Sequence, residues 1–405
     1  MLPLTPPPSL QPRINRKLLY SASAAFLMVI FMTGLAGALQ VPALSVYLHK
    51  EVTNDPMLVG LFYSVNSLVS MTLSQIIAHY SDKKPNRKKI IAISCMMQMF
   101  GCLIFAFNRD YYVLLILGTL ILGLGSSVTS QLFALSREYS KSQKRDSTMF
   151  NTVLRAQLSL AWIVGPPLAY FLSDQFGFTF MYSAAATIFA ISIIIVLLML
   201  PQAVTSSLQN ANSDQTLREE GITSNRNSVL ILSVVCLLAW TCNSMMFINM
   251  PIYLNTNLGL SDRLTGVLMG TAAGIEIPVM LIAGYCTHWV SKKTLMFIGV
   301  IAGMGYYISL SFFAQTELQL IASQILNGLF IGIIASIGML YFQDLMPYKM
   351  GTATTLFNNT SSGSWVLAGP IAGFMASQFG YHSTWYLAIT LCAIALIFML
   401  FVRKI

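Results

Sequence analysis

Two charged side chains stand apart from the rest of this chain. Glu276 lies in GTAAGIEIPVM (270–280), where apolar or small residues run for more than a helical turn on either side. No other acid or base falls between Arg263 and His288. Arg155 lies in FNTVLRAQLSLAW (150–162), the other segment in which a charge interrupts a long apolar run. A charge at mid-bilayer costs about 2.5–3.5 kcal/mol on insertion scales, so each needs a reason to be there. A carboxylate in such a place can hold a proton, accept hydrogen bonds from hydroxyl groups, or pair with a guanidinium. Counted along their helices from the same side, Arg155 lies about 12 Å deep and Glu276 about 16 Å deep at 1.5 Å per residue. The expectation is that they face each other or share a cavity through water or ligand hydroxyls. Glu276 is the proton-coupling candidate.

Other polar residues fall at helical spacing. Arg155, Ser159 and Trp162 are spaced i, i+4, i+7 and share one helix face, and Asn358, Ser362 and Trp365 repeat that spacing. A stripe of two polar groups and a tryptophan suits a sugar: hydrogen-bond partners for hydroxyls and a flat apolar face for ring C–H groups. Tyr63, Asn66 and Ser70 form a similar stripe, and Gln40, Gln131, Asn243 and Asn327 are single amides inside apolar segments. These residues, Ser70 and Ser362 apart, make up with Glu276 the candidate substrate-binding set. Asp82, Arg137, Glu138 and Asp344 fall at helix ends, and Asp82, Arg137 and Asp344 are candidates for ion pairs that gate a conformational change. No nucleophile–His–acid set, metal spacing or phosphate loop appears, so the chain reads as no enzyme and calls for no cofactor. The six cysteines lie within or at the ends of apolar segments, with no disulfide framework or zinc spacing.

The elements that would position these groups follow from composition. The 405 residues are 56% hydrophobic and 9% charged, with mean hydropathy +0.69. A soluble domain carries about 25% charged residues, so this is an integral membrane protein, all α, with the bilayer as its main partner. Apolar segments give twelve helices: 18–46, 57–80, 90–107, 111–136, 147–173, 178–200, 228–254, 264–287, 294–313, 318–341, 350–376 and 383–402. Residues 1–17 read as a disordered tail, 18–200 and 228–405 as two six-helix bundles, and the polar, aromatic-free segment 201–227 as a linker. Placing both termini and the loops after even-numbered helices on one side gathers 19 of the 23 Lys+Arg there. The positive-inside rule makes that side cytoplasmic. The net charge of +9 is then a topology signal and needs no nucleic acid.

The two halves resemble each other. IVGPPLAYFLSDQFGF (163–178) matches LAGPIAGFMASQFGY (367–381), and VPALSVYLHK (41–50) matches MPIYLNTNLG (250–259), followed by Gly60 and Gly266 respectively. The glycine–proline pairs read as sites of bending or of packing between halves. Six-helix repeats joined by a linker resemble the major facilitator superfamily, as does HYSDKKPNRKK (79–89), although Ala78 replaces a usual glycine and Pro85–Asn86 interrupts the basic run. Longer stretches resemble the bacterial sugar efflux transporter family within it: GLAGALQVPALSVYL (34–48), LFALSREYS (132–140), RAQLSLAWIVGPPLA (155–169), WTCN (240–243), MGTAAGIEIP (269–278) and GMLYFQDLMP (338–347).

The resemblance implies two pseudo-symmetric bundles that rock about a midplane site to export sugars (mono- and disaccharides, glycosides) from the bacterial inner membrane, driven by proton antiport, as a monomer. In that fold helices 3, 6, 9 and 12 are peripheral. The Asn and Gln residues inside the spans avoid those four helices, Gln98 excepted, which suggests a hydrated centre. A multidrug exporter or a sugar importer of the same fold remains an alternative, as does a transporter-derived sensor or scaffold.

Overall fold

The computed structural model describes residues 16–83, 86–143, 147–201, 226–347 and 350–403, which are almost wholly helical, with no strand among them. The helices are α1 (Arg16–Tyr47), α2 (Pro56–Lys83) and α3 (Arg87–Phe107). The fourth crossing, α4, is built from Tyr111–Val113, a wider π turn at Leu114–Gly118, Thr119–Gly125 and Val128–Ser142. A single helical run, Ser147–Met199, follows, and Gly177 at φ 81° divides it into α5 (147–176) and α6 (178–199). The second half comprises α7 (Arg226–Thr256), α8 (Asp262–Cys286), α9 (Lys292–Phe312), α10 (Glu317–Leu345), α11 (Met350–Phe379) and α12 (Ser383–Phe401). The tail 1–15 and linker positions 202–225 lie outside the described residues.

By length and hydropathy, ten of the described segments qualify as membrane spans, and two physical points bring ten to twelve. Val153–Met199 holds 47 residues, about 70 Å of helix against a hydrocarbon core of about 30 Å. The positive φ of Gly177 turns the chain there and makes two crossings. α11 is 30 residues long but carries Thr354, Thr355, Asn358, Asn359 and Ser362, so its hydropathy falls short of a lipid-facing span. That polarity suits a helix lining a hydrated space.

The repeat read in the sequence reappears in the backbone. Gly177 and Gly380 occupy matching QFG positions and adopt φ 81° and 79°, each ending one helix and starting the next. Pro42 and Pro251 lie inside α1 and α7, the matching first helices of the two halves. Helix starts are capped: Asn86 accepts from Lys89 N at 3.3 Å, and Thr316 with Gln319 forms a capping box on α10. In lipid, helices gain little from the hydrophobic effect, so van der Waals packing and buried hydrogen bonds must join them. In the first half the Tyr47 hydroxyl donates to Phe105 O at 2.9 Å, tying α1 to α3, and the Tyr47 and Tyr182 rings lie 5.1 Å apart, bringing in α6. In the second half Asn249 donates to Ala372 O at 3.1 Å and to Thr384 Oγ1 at 2.8 Å, joining α7 to α11 and α12.

Candidate functional site

The halves are sealed on the side of the loops that follow odd-numbered helices. Gly60 on α2 meets the Gly369–Pro370 pair of α11. A Cβ built on Gly60 would lie 2.1 Å from Gly369 O, and one on Gly369 2.2 Å from Gly60 O. Gly266 on α8 meets the matching Gly165–Pro166–Pro167 of α5, where a Cβ would lie 2.8 Å from Pro166 O. The glycine–proline motifs are therefore packing points between halves, each facing the glycine that the repeat places in the opposite half. Ser64 Oγ donates to Val366 O at 2.8 Å across the same seam. Two ion pairs close it further: Lys50 at the end of α1 with Asp262 at the start of α8, and Arg263 Nε with Asp174 of α5 at 2.6 Å.

Among the described residues the opposite side is not joined in this way. Its recorded ion pairs stay within one half: Arg87 Nε to Glu138 at 2.7 Å, and Lys292 with Asp344. Arg155 of α5 and Asn358 and Asn359 of α11 are exposed there. The molecule is thus closed at the odd-loop side and open at the even-loop side.

Between the halves lies a cavity of about 290 Å³. From α5 it receives Ser159 and Trp162, from α7 Trp240, Asn243 and Phe247, from α8 Glu276, and from α10 Asn327. The carboxylate of Glu276 has no hydrogen bond or ion pair to any described residue. Asn243 Oδ1, Asn327 Oδ1 and Trp240 Nε1 are buried without a partner. Asn327 is 0% exposed, and its Nδ2 donates to Gln324 Oε1 at 2.9 Å. Buried polar atoms are nearly always paired, so three orphans around one space mark it as a place for a polar ligand or water. Ser159 Oγ bonds back to Arg155 O at 3.2 Å, which aligns it on the α5 stripe.

Two further polar spaces adjoin, both reaching into the first half. One, of about 320 Å³, is lined by α2 hydroxyls including Ser70, by Ser126 of α4, and by Asn359, Ser362 and Trp365 of α11. The other, of about 200 Å³, is lined by Gln40, Asn66 and Gln98 and shares Ser70 and Ser126 with the first. Asn66 Oδ1 is buried there without a partner, while Gln40 Nε2 donates to Ala36 O at 3.0 Å. Trp365 connects the walls: it stacks on Tyr63 at 5.7 Å and meets Phe247 edge-on at 5.9 Å.

The structure brings together Ser159, Trp162, Asn243, Glu276 and Asn327 in one cavity, and Gln40, Asn66 and Trp365 around its neighbours. Tyr63 is buried behind Trp365. Three expected placements differ. Arg155 does not pair with Glu276: its guanidinium lies 5.2 Å over the Phe133 ring, where the long side chain reaches toward the open side. Gln131 lines none of these spaces, because its Oε1 accepts from Arg87 Nη1 at 2.9 Å and its Nε2 donates to Ser81 Oγ at 3.0 Å. On α11, Asn359 and not Asn358 reaches the polar space. Of the gating candidates, Asp344 pairs within its own half, and Arg137 is exposed and forms no ion pair with a described residue. The side chain of Asp82 lies outside the described residues.

The residues closing the odd-loop side were missed as a set, because each reads singly as a loop charge. One signal was available. That side holds three bases, Lys50, Arg109 and Arg263, and each is paired with an acid: Asp262, Glu51 and Asp174. Trp240 falls inside the quoted WTCN motif, but nothing in its spacing gave it a role.

The comparisons with known proteins agree on one architecture. The model of the Major Facilitator Superfamily matches residues 26–370. Sugar efflux transporter A of Dickeya chrysanthemi is 44% identical over 393 residues, 97% of this chain and 98% of the relative. Sugar efflux transporter C of Escherichia coli (strain K12) is 43% identical, over 96% of this chain and 98% of the relative. Among solved structures, the nucleoside transporter NupG superposes with a TM-score of 0.78 at 15% identity, covering 94% of this chain and 98% of that one. A bacterial homologue of the human lysosomal transporter Spinster, solved in an inward-facing and occupied conformation, gives 0.76 at 11%, covering 97% of each chain. At those identities the structural likeness speaks for the fold alone.

Proposed function

The chain belongs to the major facilitator superfamily and, within it, to the sugar efflux transporter family, and on that premise we propose that it exports sugars by alternating access coupled to proton entry. The observation that carries the reading is the cavity between the halves, with an unpaired carboxylate, orphaned amide oxygens and two tryptophans around it. Amide groups suit sugar hydroxyls, and indole faces suit ring C–H groups. The names of the relatives, covering nearly the whole of both chains, support the cargo class and the direction. The charge asymmetry of the loops supports an inner-membrane orientation with the even-numbered loops, both termini and the linker in the cytoplasm. The conformation described here is then the cytoplasm-open state. The two bundles, 18–200 and 228–405, move as bodies about the cavity, and the protein works as a monomer.

Glu276 is given the coupling role. In the cytoplasm-open state its carboxylate faces the cavity without a partner, free to take a proton or a sugar hydroxyl. Arg155 is its second partner, reached when the open side closes. The test is counterflow of radiolabelled sugars in proteoliposomes with the purified full chain. Sugar counterflow is expected from the wild type. Glu276→Gln should keep counterflow and lose pH-driven efflux, because counterflow needs no net proton movement. Near-normal pH-driven efflux by Glu276→Gln would refute the coupling role, and absence of counterflow by the wild type would refute sugar transport.

A further inference from the structure

The cavity between the halves holds one ionisable side chain, Glu276, and no counter-charge among the described residues that line it. Three groups there are acceptors without a donor: the Glu276 carboxylate, Asn243 Oδ1 and Asn327 Oδ1. The amide of Asn327 cannot be turned to change this. Gln324 Nε2 is committed to Leu320 O at 3.2 Å and to Tyr306 Oη at 3.4 Å, so Gln324 presents its oxygen to Asn327 Nδ2. The amide oxygen of Asn327 is therefore left free. Trp240 Nε1 is a buried donor without an acceptor, and Trp162 Nε1 and Asn243 Nδ2 have no acceptor among the described residues. No Lys, Arg or His is among the described residues lining the cavity, and Arg155 is turned away over Phe133. The remaining walls include Trp162 and Phe247, whose ring faces attract positive charge.

We propose that this cavity also takes protonated amino sugars, with the ammonium group held by Glu276 and the free amide oxygens. The inference rests on the transport reading above and narrows its cargo. A neutral sugar hydroxyl can bond to the carboxylate but leaves its charge uncompensated. An ammonium group brings three donors and a positive charge to the carboxylate and the free amide oxygens. Its hydrogen bonds to a carboxylate are charge-assisted and stronger than those of a hydroxyl. It also neutralises a carboxylate for which the described residues supply no cation. The sugar ring then lies toward the aromatic walls.

The test uses the purified full chain in proteoliposomes, with glucosamine, glucose and N-acetylglucosamine as probes. In the wild type, glucosamine should inhibit labelled-glucose counterflow at a concentration about tenfold lower than unlabelled glucose does, the effect of one added charge-assisted contact. N-acetylglucosamine, which keeps the ring and loses the charge, should show no such advantage. Glu276→Gln should weaken inhibition by glucosamine more than inhibition by glucose and so remove the gap between them, with thermal unfolding of the purified variant reporting separately that it is folded. Equal potency of glucosamine and glucose in the wild type would overturn the proposal without any variant. Equal losses for both probes in Glu276→Gln would also overturn it. Direct glucosamine counterflow without any movement of neutral sugar would sustain the cationic site and overturn the neutral-sugar reading instead.

Discussion

Replacing Gly369 by alanine should open the sealed side. The new Cβ would lie 2.2 Å from Gly60 O and 2.5 Å from Ser64 Oγ, and the first of these is backbone that cannot swing aside. Reaching even the tight end of normal contact, between 3.0 and 3.4 Å, requires α2 and α11 to part by about 1 Å. The hydrogen bond from Ser64 Oγ to Val366 O, 2.8 Å long, breaks at that separation. Overpacking of this kind costs about 1–3 kcal/mol, and the cost falls on the sealed conformation alone. At about 1.4 kcal/mol per decade the population of the opposite conformation rises about 5- to 150-fold. The assay is pulsed dipolar spectroscopy with spin labels at Asn54 and Phe379, both exposed on the sealed side at the ends of α2 and α11. Gly274→Ala is the control, since a Cβ there meets nothing within 4 Å. A native distance distribution together with native counterflow in Gly369→Ala would refute the view that this glycine contact sets the seal.

Other expectations follow from the same geometry. Reversing Asp262 to lysine should weaken the seal, and the double exchange Lys50→Asp with Asp262→Lys should restore it; exposed pairs are worth about 0.2–1 kcal/mol, so the spin-label populations should change by about five-fold at most. Arg87→Ala should lower thermal stability by about 1–3 kcal/mol, because it leaves the buried Gln131 Oε1 without its donor; sugar affinity measured on the same preparation should not change. Cysteines placed at Ser207 and Thr53 should label from opposite sides of the membrane with an impermeant reagent, and labelling of both from outside whole cells would overturn the orientation. Overproduction should lower cellular accumulation of a non-metabolised glycoside, and a protonophore should abolish the effect.

Much of the fold was legible because the bilayer narrows the choices. A backbone in hydrocarbon must satisfy its own hydrogen bonds, so long apolar runs can only be helices. The repeat added more: the matching segments 163–178 and 367–381 end in QFG, and Gly177 and Gly380 turn the chain there alike. The glycine–proline pairs were legible as close-packing sites but not as partners of Gly60 and Gly266, since sequence shows periodicity along a helix and not which helix stands opposite. The site was read in part for the same reason. Helical spacing placed Ser159 with Trp162, while Glu276, Asn243 and Asn327 stood out only as polar groups inside apolar segments and were brought together by the fold. Gln131 looked equivalent to those amides, yet Arg87, from the start of the preceding helix α3, engages it instead.

The pairing of Arg155 with Glu276 shows where that kind of reading stops. Depth along a helix is one coordinate, and contact also needs rotation about the axis and a closed gap between the halves. A transporter's sequence must serve more than one arrangement, so a match in depth can belong to a conformation other than the one described. Here the open even-loop side leaves the arginine over Phe133 and the glutamate facing the cavity. That arrangement has a consequence for the cycle. An ionised carboxylate facing a hydrated cavity is tolerable while the cavity is open, because water can solvate it. Once the even-loop side closes, the same charge loses its water and costs several kcal/mol unless something neutralises it. A proton, an ammonium group or Arg155 can each do so. In the proposed cycle the closing step would therefore be permitted when Glu276 is occupied and opposed when it is bare. On that proposal this single side chain would link cargo or proton occupancy to the movement of two six-helix bodies.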